Sequence, residues 1–242
     1  MQINTDLIYD SEGTFLLLNP DVFDAVDTAY FDASYWQKND AIKGQEKGRG
    51  TTWFIEHDAQ QLVLRHYYRG GVISKFNRDS YLYLSMKNTR AVKEYKLLQA
   101  LNALQLPVPL AVGARVKRNG LFYRADILSG RIEHAKDLVQ ILQTTANEAL
   151  FATIGETVAR FHQAKVYHPD LNIQNILVDH MQKVWLIDFD QASMGKLSTS
   201  KANSMLSRLK RSFIKEVGRH NIQFSEANWQ ALMRAYQAAL AS

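Results

Sequence analysis

The stretch His168-Pro169-Asp170-Leu171-Asn172-Ile173-Gln174-Asn175-Ile176-Leu177-Val178, followed after a polar turn by Val184-Trp185-Leu186-Ile187-Asp188-Phe189-Asp190, decides how this chain reads. Two short apolar runs flank the turn, so residues 176–178 and 184–187 are expected to form a β-hairpin. Asn175 stands at the mouth of that hairpin and Asp188 at the end of its second strand, so both should face one point. Asp170, on a loop after a helix, falls nearby. Taken singly, each fits a structural role as loop residue, turn former or strand-end cap. Together they place two oxygen donors beside a carboxylate. Phosphoryl transfer from a magnesium nucleotide needs that set: hard oxygen ligands for the metal and an acceptor for the proton of the attacking hydroxyl.

These two segments resemble the protein-kinase-like superfamily, whose catalytic loop reads H-R-D-x-x-x-x-N and whose metal motif reads D-F-G. The spacing from Asp170 to Asn175 matches. The resemblance implies Asp170 as the catalytic base, and Asn175 and Asp188 as ligands of Mg2+ and thereby of ATP. His168 is expected to brace the loop.

Outward from this centre, residues 148–163 repeat Leu150, Ile154, Val158 and Phe161 on one helical face. Two more helices are expected near residues 204–217 and 226–240. The first half reads mainly as strands, around 50–55, 61–68, 111–116 and 121–128. Gly70-Gly71 is expected as a hairpin or bulge, and Asn119-Gly120 as a turn. One amphipathic helix, residues 89–104, interrupts them and is stopped by Pro107 and Pro109. The expected class is α+β: a single protein-kinase-like domain over residues 1–242, with a strand-rich N-lobe (about 1–128) and a small helical C-lobe (about 131–242).

The family pattern then implies nucleotide contacts in the N-lobe. Gly48 and Gly50, in Lys47-Gly48-Arg49-Gly50-Thr51-Thr52-Trp53, form a G-x-G turn feeding a strand, as a phosphate cover would. Leu62-Val63-Leu64-Arg65 sits where the family keeps V-A-I-K, with Arg65 in place of the nucleotide-pairing lysine. Arginine brings a planar fork rather than a point charge. Glu94, on the 89–104 helix, matches the acid that pairs with that cation.

Several departures argue against a protein kinase. Asn172 replaces a lysine of serine/threonine kinases, Asp190 replaces the glycine of D-F-G, and only 52 residues follow Asp190. The chain is instead similar to the Kdo (3-deoxy-D-manno-octulosonic acid) kinase branch of the lipopolysaccharide-core kinases. Gly48-Arg49-Gly50-Thr51-Thr52-Trp53, Leu64-Arg65-His66-Tyr67-Tyr68-Arg69-Gly70-Gly71 and His168-Pro169-Asp170-Leu171-Asn172 carry that likeness. It implies transfer of the ATP γ-phosphate to the 4-hydroxyl of Kdo on Kdo-lipid A. A heptose kinase, a protein serine kinase and a nucleotide-binding pseudokinase stay open as alternatives.

Composition narrows the classes. The chain has 242 residues, 46% of them hydrophobic, and no Cys, which excludes a disulfide scaffold, a cysteine nucleophile and a thiolate metal site. No apolar run reaches the roughly 20 residues that span a bilayer. Met1-Gln2-Ile3-Asn4-Thr5-Asp6 lacks the basic start of a secretory signal. The formal charge of +5 is uneven: residues 1–40 carry net −7, while 65–93 and 196–219 each carry net +6. Such a pattern suits an anionic glycolipid acceptor and a peripheral site on the cytoplasmic face of an anionic bacterial inner membrane. Neither nucleic acid nor a protein partner is expected. Met205, Leu206, Leu209, Phe213 and Val217 stripe one helix whose other faces carry Arg208, Lys210, Arg211 and Lys215. That helix suits a membrane surface and, equally, a core with a cationic outer face. Tyr81-Leu82-Tyr83 reads as a buried strand, with a glycan platform as the alternative.

Overall fold

The structure, a computed structural model, describes residues 6–48, 50–69 and 79–241. Arg49 of the glycine turn and the Gly70-Gly71 pair lie outside them. The expected α+β class holds, and the chain divides into two compact units, residues 1–99 with 110–131 and residues 100–109 with 132–242.

The first unit is built on an antiparallel sheet. Its strands are β1 (Leu7–Ser11), β2 (Thr14–Leu18), β3 (Ile42–Lys47), β4 (Thr51–His57), β5 (Gln60–His66), β6 (Tyr81–Leu82), β7 (Ala111–Asn119) and β8 (Phe122–Gly130), with helix α1 (Ala33–Lys38) between β2 and β3. The order is β1-β2-β7-β8-β5-β4-β3, and β6 adds to the start of β8. One face buries Leu16, Leu18, Ile55, Leu62, Leu64, Val112 and Leu128 against Phe23, Phe31 and Trp36. Trp36 is kept in that apolar cluster because its Nε1 donates to the Tyr30 carbonyl at 2.7 Å. Helix α2 (Arg90–Ala103) follows β6 and buries Val92, Tyr95, Leu98 and Leu101, the repeat visible in the sequence.

The acidic head does not stand apart. Asp6 accepts from Tyr95 Oη at 2.8 Å and from Gln99 Nε2 at 2.6 Å, and pairs with Lys96. Asp32 pairs with Arg115 at 2.8 Å. Arg115 in turn holds Asp126 at 2.8 Å, and Asp126 meets His66 Nδ1 at 2.6 Å. Burial alone would lower the pKa of His66, but its bonds and attraction to Asp126 and Asp79 outweigh that and raise it.

The second unit contains β9 (Lys136–Asp137), α3 (Leu138–Leu142), α4 (Glu148–Gln163), β10 (Val166–Tyr167), β11 (Ile176–Val178), β12 (Val184–Leu186), β13 (Ser193–Met194), α5 (Thr199–His220) and α6 (Glu226–Ala241). Asn147 caps α4 by accepting from Leu150 N at 2.8 Å. The helix buries Leu150, Phe151, Ile154, Val158 and Phe161. It meets α6 so closely that a Cβ at Gly155 would stand 2.1 Å from the Leu232 carbonyl oxygen. Helix α5 is longer than expected, starting on a Ser198 cap. Its first turn is polar, so apolar periodicity could not reveal it. Of the expected α5 stripe, Met205, Leu206, Leu209 and Phe213 are buried and Val217 at its end is exposed, so this is mainly a core helix with a cationic outer face.

Candidate active site

The expected hairpin is present in the second unit. Ile176 pairs Leu186, Leu177 pairs Trp185 and Val178 pairs Val184. Its turn is shaped by Asp179, whose Oδ1 accepts from Met181 N at 2.9 Å and Lys183 N at 3.0 Å, while Oδ2 accepts from Trp185 Nε1 at 2.9 Å. Below the last strand pair the hairpin closes once more, with Ile187 N donating to Asn175 O at 3.1 Å. Asn175 and Asp188 therefore flank one closed end, as the sequence predicts.

Asp170 is tied to the same end. Its carbonyl oxygen accepts from Asn175 Nδ2 at 3.0 Å and from Asn172 Nδ2 at 2.9 Å. Asn172 also caps the short turn after it by accepting from Gln174 N at 2.8 Å. Buried Leu171 and Ile173 anchor the loop in the core, and Ile173 N donates to Ser212 Oγ of α5 at 3.0 Å. Strands β10 and β13 pair across the base of the whole segment. The backbone around Asp170 is thus held from several sides while its carboxyl stays exposed.

His168 is buried, and its Nε2 lies 3.1 Å from the Ile187 carbonyl, linking the loop to the residue before Asp188. Burial lowers its pKa, against the opposing pull of the Ile187 carbonyl and the charges of Asp188 and Asp170. The ring is neutral near pH 7, with Nε2–H as donor, and it stacks edge-on with Phe189 at 5.0 Å. Bracing is the role the sequence assigns it. Asp188 itself has φ +65°, in the left-handed region that side chains rarely adopt.

One residue of this cluster escapes the sequence reading as a site residue. Arg208, from α5, places Nη1 3.0 Å from Asp170 Oδ1. It lies 38 residues from its partner, and only the folded loop brings the two together. Its sequence signal is the basic character of α5, which says nothing of where the charge points.

The first unit carries a second cluster. Arg65 Nη2 donates to Glu94 Oε1 at 2.7 Å, and Tyr67 Oη donates to Glu94 Oε2 at 2.5 Å. Glu94 is 3% exposed and Arg65 31% exposed at the side chain, so the acid is interior and the cation partly open. Burial, and then the Glu94 charge, push the Tyr67 hydroxyl well above its ordinary pKa, so it stays a donor. Gly48 and Gly50 form the turn between β3 and β4, where Gly48 N donates to Gly50 O at 2.8 Å. They differ in why they are glycine. A Cβ on Gly48 would meet open space, whereas one on Gly50 would lie 1.9 Å from the Tyr68 ring. Ring packing thus gives Gly50 a reason to be glycine that Gly48 lacks.

Asn and Asp side chains offer the hard oxygens that Mg2+ takes. Donation of Asn175 Nδ2 to Asp170 leaves its Oδ1 as the oxygen for such an ion, so the residues present fit the metal. Among the described residues no cluster of three or more His, Asp or Glu is arranged around a common metal position.

The second unit thus holds a carboxylate on a braced loop and two oxygen donors at a hairpin mouth, and the first unit holds an Arg–Glu pair on a strand and a following helix. Comparison with known proteins gives the family. The model of the lipopolysaccharide kinase (Kdo/WaaP) family matches residues 33–236. A 3-deoxy-D-manno-octulosonic acid kinase of Photobacterium profundum is 42% identical over 233 residues, covering 96% of this chain and 98% of that protein. Proteins of the same name from Haemophilus influenzae (strain 86-028NP) and Pasteurella multocida are each 41% identical, over 237 and 240 residues, and cover 94% and 96% of this chain and 98% and 100% of their own. The match takes in both clusters and nearly every element that positions them, and this chain belongs to the lipopolysaccharide kinase (Kdo/WaaP) family.

Proposed function

We propose that this chain is a kinase that transfers the γ-phosphate of ATP to a hydroxyl of 3-deoxy-D-manno-octulosonic acid, at the 4-position, on Kdo-lipid A during assembly of the lipopolysaccharide core. Full-length relatives at about 40% identity bear the Kdo kinase name. The observation that carries the mechanism is the tie between Asn175 Nδ2 and the Asp170 carbonyl at the closed end of the hairpin.

In this reading the Asp170 carboxylate accepts the proton of the sugar hydroxyl, an effect on the order of 10²–10⁴-fold. Asn175 and Asp188 hold Mg2+, which, when bound, neutralises charge on the phosphates. Arg65, oriented by Glu94 and Tyr67, pairs with the nucleotide phosphates, and the Gly48–Gly50 turn covers them. Both units serve one kinase-like domain over residues 1–242. No described helix is long and apolar enough to cross a membrane. The acceptor is lipid-borne, so the enzyme works peripherally, on the cytoplasmic face of the inner membrane.

The test is a comparison of acceptors. With labelled ATP and magnesium, label is expected on Kdo-lipid A and not on lipid A lacking Kdo or on a generic protein. Label on the protein, or equal label on both lipids, overturns the reading.

A further inference from the structure

We propose that the end of the sheet formed by β6 and the β7–β8 turn is the face that docks on an anionic lipid surface. This rests on the membrane-borne acceptor proposed above and names the surface that meets the bilayer.

The sheet register builds the patch. Leu82 is the cross-strand partner of Phe122, and Tyr83 N donates to Leu121 O at 2.9 Å. Cross-strand partners share a sheet face. Leu82 and Phe122 therefore stand side by side, while Tyr81 and Tyr123 turn to the other face, where Tyr123 is buried. Leu84 is 76% exposed, Leu121 70%, Leu82 56% and Phe122 45%. Four large apolar side chains of adjoining segments are thus open to solvent at one end of one sheet. Scattered exposed leucines need no explanation, but a contiguous group marks an interaction site.

Charge identifies the occupant. Lys117 is the cross-strand partner of Arg124, two residues along from Phe122, so both bases share the face of Leu82 and Phe122. Arg118, the cross-strand partner of Tyr123, is exposed on the other face of the same sheet end, with its guanidinium 4.4 Å over the Tyr83 ring, and Lys87 is exposed in the segment that follows β6. Residues 81–90 and 115–124 contain six bases and no acid, of which Arg115 is buried on Asp32 and Asp126 while Lys87, Lys117 and Arg118 are exposed. Two acids lie near, and both are already engaged: Asp79 pairs with Arg124 at 3.0 Å, and buried Asp126 holds Arg115 and His66. Apolar side chains rimmed by cations suit acyl chains beneath anionic headgroups. Helix α5, the other basic segment, is less suited. Most of its apolar stripe is buried, leaving Ile214 and Val217 open, Arg208 pairs with Asp170, and Lys210 pairs with Glu226 while lying over Trp229.

The test is cosedimentation of the full chain with vesicles of phosphatidylglycerol and phosphatidylethanolamine, or of phosphatidylcholine alone. Three variants are compared: Leu121→Ser/Phe122→Ser, Lys87→Glu/Lys117→Glu and, on α5, Arg211→Glu/Lys215→Glu. Wild type is expected on the anionic vesicles only. Each of the first two variants should bind at least about tenfold more weakly, and the α5 variant like wild type. All three should phosphorylate a water-soluble Kdo acceptor without acyl chains as wild type does, which separates this proposal from the kinase reading. Undiminished binding by the first two variants, or loss confined to the α5 variant, overturns the proposal. So does equal binding to phosphatidylcholine, or a lipid-free dimer that Leu121→Ser/Phe122→Ser dissociates. Wild type that ignores anionic vesicles overturns both this face and the membrane reading. Wild type inactive on the soluble acceptor counts against the kinase reading alone.

Discussion

Oε1 of Glu94 accepts from Nη2 of Arg65 at 2.7 Å, so an arginine holds the strand position where kinases of this superfamily carry lysine, and still finds the helix acid. The other oxygen of Glu94 is taken by Tyr67. Removing the Tyr67 hydroxyl leaves a buried carboxylate oxygen without its donor. Tyr67→Phe should cost about 2 kcal/mol of stability, in the range for bonds to charged groups, and weaken ATP binding. Arg65→Lys keeps the charge and loses the fork, so KM for ATP should rise while the melting temperature holds. Thermal unfolding and steady-state kinetics read the two effects apart. An unchanged KM in both variants would remove Arg65 and its partners from the nucleotide site.

Arg208 and Asp170 are each about half exposed, so their pairing adds little stability, at most about 1 kcal/mol. A role in positioning the base predicts a different signature. Arg208→Ala should lower kcat roughly tenfold, the scale of a lost 1.4 kcal/mol, with the melting temperature intact. Arg208→Lys should restore part of the loss. Equal kcat for wild type and Arg208→Ala would make the pair incidental.

Gly155 faces backbone of α6, not a side chain that could swing away. Gly155→Ala gains helix propensity but must push α4 and α6 apart. It should destabilise by about 1–3 kcal/mol, as overpacking does. A denaturant titration decides this; a stabilised variant would contradict the close approach.

His162 is buried in the second unit, with Nδ1 2.8 Å from Tyr236 Oη. Burial lowers its pKa from 6.5 to about 4. Between those values the unfolded chain binds a proton that the folded chain refuses, so stability rises with pH across that window and is lost as pH falls through it. The loss by pH 4 is about 3 kcal/mol. Unfolding free energies measured from pH 7 to pH 4 should show this slope, and His162→Gln should flatten it. The same slope in the variant would assign the effect elsewhere.

The loop of residues 168–175 and the hairpin were legible because their information is local. Apolar runs around a polar turn set the strand pairing, and pairing alone brings Asn175 to the level of Ile187, beside Asp188. The amphipathic helices α2 and α4 were legible by period. Strands β1, β2 and β3 were not, because β3 is a half-exposed edge strand of polar residues and the alternation of β1 is weak. Arg208 lay beyond reach for another reason. Its partner is fixed by how α5 packs on the loop, through Ser212 and Ile173, and no spacing along the chain encodes that contact. Gly50 has a packing reason that the motif did not reveal, since a Cβ there would lie 1.9 Å from the Tyr68 ring.

The central claim is that the Asp170 carboxylate activates a hydroxyl of Kdo toward ATP. Mass spectrometry with fragmentation of Kdo-lipid A after incubation with ATP, magnesium and either wild type or Asp170→Ala tests it most directly. One added phosphate on the Kdo residue at the 4-position is predicted with wild type, and its rate should fall at least about 100-fold in the variant. Phosphate on the lipid A sugars, or an Asp170→Ala rate within about tenfold of wild type, would contradict the account.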